Sequence, residues 1–417
     1  MSSDIMPRWV VLKFGGTSVS SRERWDTIAS VVRERLGEGL RPLVVCSAFG
    51  GVTNALEGLL EGAMAGGFQQ ELDEIRAMHI SLGEALEVDA QAVLAEDLSA
   101  LGRLATGVYM VGEASPRIRA RMLSLGEIMS TRLGAAFLSK VGLMAAWADA
   151  RDALTSQGGL GLDAHRHYLS ATCDFAPDQA LSERLGRLDA EVIVTQGFIA
   201  RDPAGETVLL GRGGSDTSAS YLAAKLGAAR CEIWTDVPGL YTANPRLVPE
   251  ARLIRALDYR EAQEIASTGA KVIHPRSVAP ALRHKIPLHV RSTPRPEVEG
   301  TVITEGGQDQ GARVKAISSK TGVTLVSMET AGMWQQVGFL ADAFAQFKKH
   351  GLSIDLVSTS EMNVTVSLDP AANALEQETL TALVADLSGL CQARIIGPCA
   401  SVSLVGRNVR SVLPRLG

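Results

Sequence analysis

Residues 10–18 read Val-Val-Leu-Lys-Phe-Gly-Gly-Thr-Ser, an apolar run carrying one lysine into a glycine pair, after which helix-compatible residues begin. A short apolar run bounded by glycine is the mark of a strand buried on both faces. The glycines let an anionic oxygen reach main-chain N–H groups with no Cβ in the way. A helix start beyond them adds partial positive charge and Lys13 adds a full one, so this turn suits a phosphate group. No Gly-Lys dipeptide occurs anywhere in the chain, which excludes a Walker loop.

Outward from this turn the pattern continues as a β-α-β unit. Ser20-Ser21-Arg22-Glu23 fits the capping box S-x-x-E. Trp25, Ile28, Ala29, Val32 and Leu36 then recur at helical spacing up to Gly37 and Gly39, and 43–46 is the next short apolar strand. Residues 54–140 predict long amphipathic helices rich in Ala, Leu and Glu. Strands return at 192–195, 208–210, 232–235 and 288–290, with helices between most of them. Such alternation predicts an α/β fold, with α/β/α layers around a mostly parallel sheet.

We expect this first domain to span 1–300, followed by a polar, glycine-rich linker over 301–314. Beyond it, strands around 323–328, Ile354/Leu356 and Val364/Val366/Leu368 alternate with helices at 339–349 and 378–387. That is a small α+β unit of β-α-β-β-α-β type over 315–397. A strand at 401–405 opens a further unit within 398–417.

With 46% hydrophobic and 21% charged residues the composition is that of a globular protein. A net charge of −5 offers nothing to nucleic acid or an anionic membrane, and no apolar run approaches the roughly 20 residues of a membrane span. Asp4 and Pro7 precede the first apolar run, which argues against a signal peptide and for the cytoplasm. The five cysteines show no C-x-x-C spacing and the seven histidines no H-x-x-x-H pair, so neither disulfides nor a resident metal site is expected.

Three loops carry groups suited to phosphoryl transfer. The first holds Lys13, Gly15, Gly16 and Thr17; the second runs Ser47-Ala48-Phe49-Gly50-Gly51-Val52-Thr53; the third runs Gly211-Arg212-Gly213-Gly214-Ser215-Asp216 into a helix. In open α/β sheets such loops converge at the carboxyl ends of the strands. Arg212 has the planar fork that grips a carboxylate, and Glu127 suits a cationic amine, so the two describe a pocket for a zwitterionic amino acid. Lys13 would neutralise a transferring phosphoryl group, with Asp216 holding the lysine or Mg²⁺. Two structural alternatives compete: Asp216 capping its own helix, and Glu127 on a solvated helix face. In the segment 233–246, Tyr241 suits an adenine or ribose and Arg246 a phosphate; Lys271 is a second nucleotide candidate.

These segments resemble the aspartate kinase branch of the amino-acid kinase family. The matching pieces are Lys-Phe-Gly-Gly-Thr-Ser at 13–18, Ser-Ala at 47–48 with Thr53, Gly-Glu at 126–127 and Thr-Gln-Gly-Phe-Ile at 195–199. They continue with Gly-Arg-Gly-Gly-Ser-Asp at 211–216, Trp-Thr-Asp-Val-Pro-Gly at 234–239, Asn-Pro-Arg at 244–246 and Gly-Ala-Lys-Val-Ile-His-Pro at 269–275. The resemblance implies transfer of the γ-phosphoryl group of ATP to the β-carboxylate of L-aspartate, with Mg²⁺ bridging phosphates. It implies Lys13 and Asp216 as the catalytic pair, with Ser47, Ala48, Thr53, Glu127, Arg212 and Ser215 around aspartate. It puts Lys13, Gly15, Gly16, Thr235, Asp236, Tyr241, Arg246 and Lys271 on the nucleotide.

The 315–390 region resembles the ACT module, which pairs with others of its kind and senses amino acids. Met333, Gly338, Phe339, Leu340, Ser353, Asp355, Thr359, Ser360 and Glu361 look most like lysine-inhibited members. By that likeness lysine is an effector and the protein a homodimer or higher homo-oligomer. The competing reading makes Asp355 and Glu361 ordinary strand-end and turn carboxylates. The chain departs from the branch in two places: Asn244 stands where many relatives have aspartate, and only the start of a second ACT unit is present. The resemblance also admits a longer bifunctional chain of which this is the kinase part. Two other functions stay open, a kinase for another acceptor such as glutamate and a non-catalytic amino-acid sensor on a kinase scaffold.

Overall fold

The computed structural model describes residues 8–158, 163–269, 272–306, 313–330, 337–370, 372–373 and 375–411. It divides into two compact units, with breaks between Ala316 and Ile317 and between Val405 and Gly406. Lys271, Met333 and 307–312 of the expected linker lie outside the described residues.

The first unit opens with β1 (Trp9–Phe14), α1 (Arg22–Gly37) and β2 (Arg41–Cys46). Four helices follow: α2 (Val52–Ala65), α3 (Gln69–Ala85), α4 (Ala90–Val111) and α5 (Pro116–Lys140). Then come β3 (Ala145–Trp147), α6 (Ala164–Leu169), α7 (Gln179–Gly186), β4 (Val192–Gln196), β5 (Ile199–Arg201), β6 (Thr207–Leu209) and α8 (Gly214–Leu226). β7 (Cys231–Thr235), β8 (Ala256–Asp258), α9 (Tyr259–Ser267), α10 (Pro275–His284), β9 (Leu288–Ser292) and β10 (Thr301–Thr304) complete the sheet region.

The main sheet has eight strands in the order β3-β4-β2-β1-β7-β9-β10-β8. Its pairings are parallel except β9 with β10. Strand alternation sorts side chains between the two faces. Val10, Leu12 and Phe14 join a core with Trp25, Ile28 and Val32 of α1 and Phe137 and Leu138 of α5. Lys13 points to the opposite face. α5 starts where sequence chemistry says it should: the Ser115 hydroxyl accepts the Ile118 N–H and Pro116 occupies the first turn.

Three local expectations are corrected. Ser21, not Ser20, caps α1: its hydroxyl accepts the Arg24 N–H, while Ser20 donates to the Thr17 carbonyl. The 3₁₀ turn at Gly16–Val19 moves the helix start by one residue, so no S-x-x-E box forms. The expected strand at 208–210 pairs antiparallel with β5 in a separate two-stranded ribbon, outside the main sheet. The expected 301–314 linker begins with a sheet strand, because Ile303 is fully buried and Thr301–Ile303 pair with β9.

The second unit takes in most of β11 (Arg313–Glu329), then α11 (Phe339–Lys349), β12 (Val357–Thr359), β13 (Asn363–Leu368), α12 (Gln377–Leu387) and most of β14 (Gln392–Arg407). Its sheet order is β12-β13-β11-β14, over a core of Val326, Phe339, Phe347, Val364, Val366, Leu383 and Leu387. This is the β-α-β-β-α-β order read from the sequence. The second strand lies at 357–359 and not around Ile354, since the Asn373 side chain takes both the N–H and the carbonyl of Ser353.

Candidate functional site

The turn after β1 delivers its lysine to a carboxylate from a distant loop: Lys13 Nζ and Asp216 Oδ1 are 2.5 Å apart, each side chain only about a tenth exposed. α8 is capped by Gly213 in the left-handed region, with Asp216 in the first turn. The helix-cap alternative for Asp216 therefore falls. The loops are also joined by main chain. Ser47 N–H donates to the Phe14 carbonyl at 3.1 Å, Gly50 N–H to the Gly16 carbonyl at 3.1 Å, and Gly15 N–H to the Trp234 carbonyl at 3.3 Å.

Acceptor-side candidates cluster beside this pair. The Ser47 and Ser215 hydroxyls are 2.9 Å apart, and Ala48 N–H donates to Glu127 Oε1 at 3.2 Å. Glu127 is 3% exposed, so the solvated alternative falls as well. Its other oxygen, Oε2, has no hydrogen-bond partner among the described residues. Burial pushes its carboxyl up to about 8, only partly offset by the Ala48 N–H. A buried carboxyl with one free oxygen is a receptor for a cation or a hydrogen-bond donor. Thr53 sits half-buried in the first turn of α2. Arg212 is exposed and makes no ion pair among the described residues, so its fork is free at the lead-in to α8.

The nucleotide-side candidates hang from the end of β7. The Thr235 hydroxyl donates to Asp236 Oδ1 at 3.1 Å, and Asp236 is exposed. Tyr241 is half-buried in a bridge to Leu253, and exposed Arg246 donates its N–H to Asn244 Oδ1 at 3.0 Å. Gly15 and Gly16 lie between the two sides through the main-chain bonds above.

In the second unit, Gly338 caps α11 with φ +95, Phe339 is buried and Leu340 half-exposed. Burial raises the Asp355 carboxyl, while Thr359, Ser360 and Glu361 are exposed. Ser353 is engaged by Asn373 and not by the acidic candidates.

Several residues packed beside these candidates are not singled out by single-residue reading. Phe198 adopts φ +67, a strained value for an aromatic residue, beside the Gly197–Ser215 contact. Trp234 stacks on Phe14 with ring centroids 5.8 Å apart, and His274 caps α10. The Thr-Gln-Gly-Phe and His-Pro segments were visible as motifs, but neutral side chains gave no chemical reason to choose them. Among the described residues no group of three or more His, Cys, Asp or Glu side chains could hold a metal ion, and no helix is long and apolar enough to cross a membrane.

The model of the amino acid kinase family matches residues 8–292. The chain is 35% identical over 413 residues to lysine-sensitive aspartokinase 3 of Escherichia coli, covering 97% of this chain and 88% of that one. The crystal structure of E. coli aspartokinase III with aspartate and ADP (R-state) superposes with a TM-score of 0.82 at 34% identity, over 96% of this chain and 88% of that one. The same enzyme with lysine and aspartate (T-state) gives a TM-score of 0.78 at 34% identity, over 97% and 91%.

Proposed function

We propose that this chain, which belongs to the amino acid kinase family and to its aspartokinase branch, transfers the γ-phosphoryl group of ATP to the β-carboxylate of L-aspartate, giving 4-phospho-L-aspartate under feedback inhibition by lysine. The observation that carries it is the enclosed Lys13–Asp216 pair beside a buried Glu127 with one unpaired oxygen. The acceptor carboxylate has an ordinary pKa of about 3.9, so it is ionised at neutral pH and needs no general base. What the site must supply is in-line placement and charge neutralisation. Lys13 provides a cation held in place by Asp216, with the N-terminus of α8 behind it. Glu127 receives the substrate ammonium and gives up its proton as it does so. Arg212 closes on the α-carboxylate, while Ser47, Ala48, Thr53 and Ser215 line the acceptor.

Gly15, Gly16, Thr235, Asp236, Tyr241, Arg246 and Lys271 serve the nucleotide. Asp216 and the exposed Asp236 are the carboxylates that would be available to a Mg²⁺ ion, a hard cation that takes oxygen donors. Bound there, Mg²⁺ supplies charge neutralisation at the phosphates. The first structural unit acts as the catalytic body and the second as the effector module, its candidates being Met333, Gly338, Phe339, Leu340, Ser353, Asp355, Thr359, Ser360 and Glu361. The working form is a cytoplasmic homo-oligomer.

A coupled ADP-release assay with aspartate, glutamate or no acceptor, each with and without lysine, tests the reading. Aspartate-dependent ADP release that lysine suppresses is expected. Release with glutamate alone would move the acceptor assignment, and no acceptor-dependent release would leave a sensor.

A further inference from the structure

Glu127 can present its free oxygen to a ligand only while α5 keeps its depth and rotation beneath the Ser47–Thr53 loop. We infer that Gln196 is the positioning residue that registers α5 against the end of β4, and so sets the geometry of the acceptor side; this rests on the functional reading above. Gln196 is the last residue of β4 and is fully buried. Its side-chain carbonyl accepts the Ala150 N–H at 2.8 Å. Its amide donates to Thr131 Oγ1 at 2.9 Å and to the Ala148 carbonyl at 3.4 Å.

Thr131 lies one helical turn after Glu127. Its hydroxyl donates to the Glu127 carbonyl at 2.8 Å and accepts from Trp147 Nε1 at 3.0 Å. In the other direction along the chain, Gly197 N–H donates to the Cys46 carbonyl at 2.8 Å, next to Ser47. A Cβ on Gly197 would fall 2.6 Å from Ser215 Cβ, so only glycine permits that approach. The Gln196–Gly197 pair therefore stands between three acceptor-side groups: the Gln196 amide reaches Glu127 through Thr131, while the adjoining Gly197 main chain reaches Ser47 through its bond to Cys46 and Ser215 by direct packing. Every polar atom of the amide is satisfied inside the protein, which is how a buried network specifies one arrangement. None of these bonds reaches the loop after β7, so loss of the amide should be felt by the acceptor and not by the nucleotide.

The test is steady-state kinetics on the full chain with both substrates varied, for Gln196→Leu, Thr131→Val, Thr131→Ser and the Gln196→Leu/Thr131→Val double variant. Ser182→Ala serves as the control, because its hydroxyl accepts from Trp9 Nε1 at 2.8 Å in an equally buried but remote bond. Gln196→Leu and Thr131→Val should each raise KM for aspartate roughly tenfold and leave KM for ATP within about twofold. The double variant should be no worse than about twofold beyond either single one, and Thr131→Ser should restore the wild-type value. If Gln196→Leu does not fold, Thr131→Val decides alone. Equal shifts in both KM values, no shift in either, a Thr131→Ser as impaired as Thr131→Val, or the same split in Ser182→Ala would overturn the inference. A wild-type chain that releases no ADP with aspartate would instead overturn the functional reading on which it rests.

Discussion

Around the proposed acceptor position Glu127 and Ala48 are buried, Lys13 and Asp216 nearly so, and Ser47 touches Ser215; of the candidates there only Arg212 is exposed. Around the proposed nucleotide position Asp236, Asn244 and Arg246 stand in solvent, and the Arg246 N–H bonds only two residues back, to Asn244 Oδ1. On the proposed function, the difference follows what each side must discriminate. An amino acid differs from its neighbours by a methylene or a charge, and only a desolvated site with unpaired groups penalises the wrong one strongly. A nucleotide offers a large aromatic face and several charges, which an open surface can hold. The enclosed side should therefore be costly to perturb and pH-sensitive, and the open side forgiving.

The most severe break in that contrast is Lys13→Ala, which removes the cation and leaves Asp216 without its partner. We expect kcat to fall by a hundredfold or more, about 3 kcal/mol of barrier, with the far-ultraviolet circular dichroism spectrum unchanged. A variant within threefold of wild-type kcat would take Lys13 out of the chemistry.

Glu127→Gln comes next. KM for aspartate should rise roughly thirtyfold, about 2 kcal/mol, from loss of a charge-assisted bond to the ammonium. A sharper signature is the proton. Glu127 holds it up to about pH 8 in the folded protein, so aspartate binding near pH 7 should release close to one proton. Calorimetry in buffers of different ionisation enthalpy measures that number, and it should drop to near zero in the glutamine variant. Folding reports the same group: between the ordinary carboxyl value of 4.5 and about 8 the folded state holds a proton the unfolded chain has lost, so stability falls as pH rises through that window. Glu127→Gln should flatten this slope in denaturant titrations at pH 5 and pH 8.

His79 tests the enclosed side from acid. It packs edge-on against Phe49 of the acceptor loop, with ring centroids 4.8 Å apart, and burial pushes its pKa down to about 4. Between 6.5 and 4 the unfolded chain binds the extra proton, so stability falls as pH drops through that range. His79→Phe should remove about 1.6 kcal/mol of this loss between pH 6.5 and 5, visible as a smaller drop in Tm. An unchanged acid slope would assign the sensitivity to His289, also pushed down to about 4.

Smallest is Arg246→Ala on the open side. KM for ATP should rise a few-fold, within about 1 kcal/mol, with Tm unchanged, as expected for an exposed cation. A loss as large as that of Glu127→Gln would mean the loop closes over the nucleotide and that the contrast drawn here is false.

Local structure was the most legible part. Strand, glycine turn and helix around Lys13 are set by neighbours within a few residues, as is the order of elements in the second unit. Local pattern and structure part company where a neighbour in space competes. Val302 and Ile303 read as linker by composition, whereas β9 and β8 hold them in the sheet, and the 208–210 strand pairs with β5 and not with the main sheet. Candidate residues with charge were easy to choose, whereas Gln196 and Phe198 carry none and act through geometry.

By itself the sequence determined the alternation of elements, the phosphate-suited turn and the stock of charged groups near it, because period and backbone freedom are properties of short stretches. Tertiary structure alone decided that Lys13 meets Asp216, that Glu127 keeps one oxygen unpaired in a dry interior, and that Arg212 stays in solvent. Those outcomes depend on which distant strands lie side by side and on how much water is expelled between them, and neither quantity is written in any local run of residues.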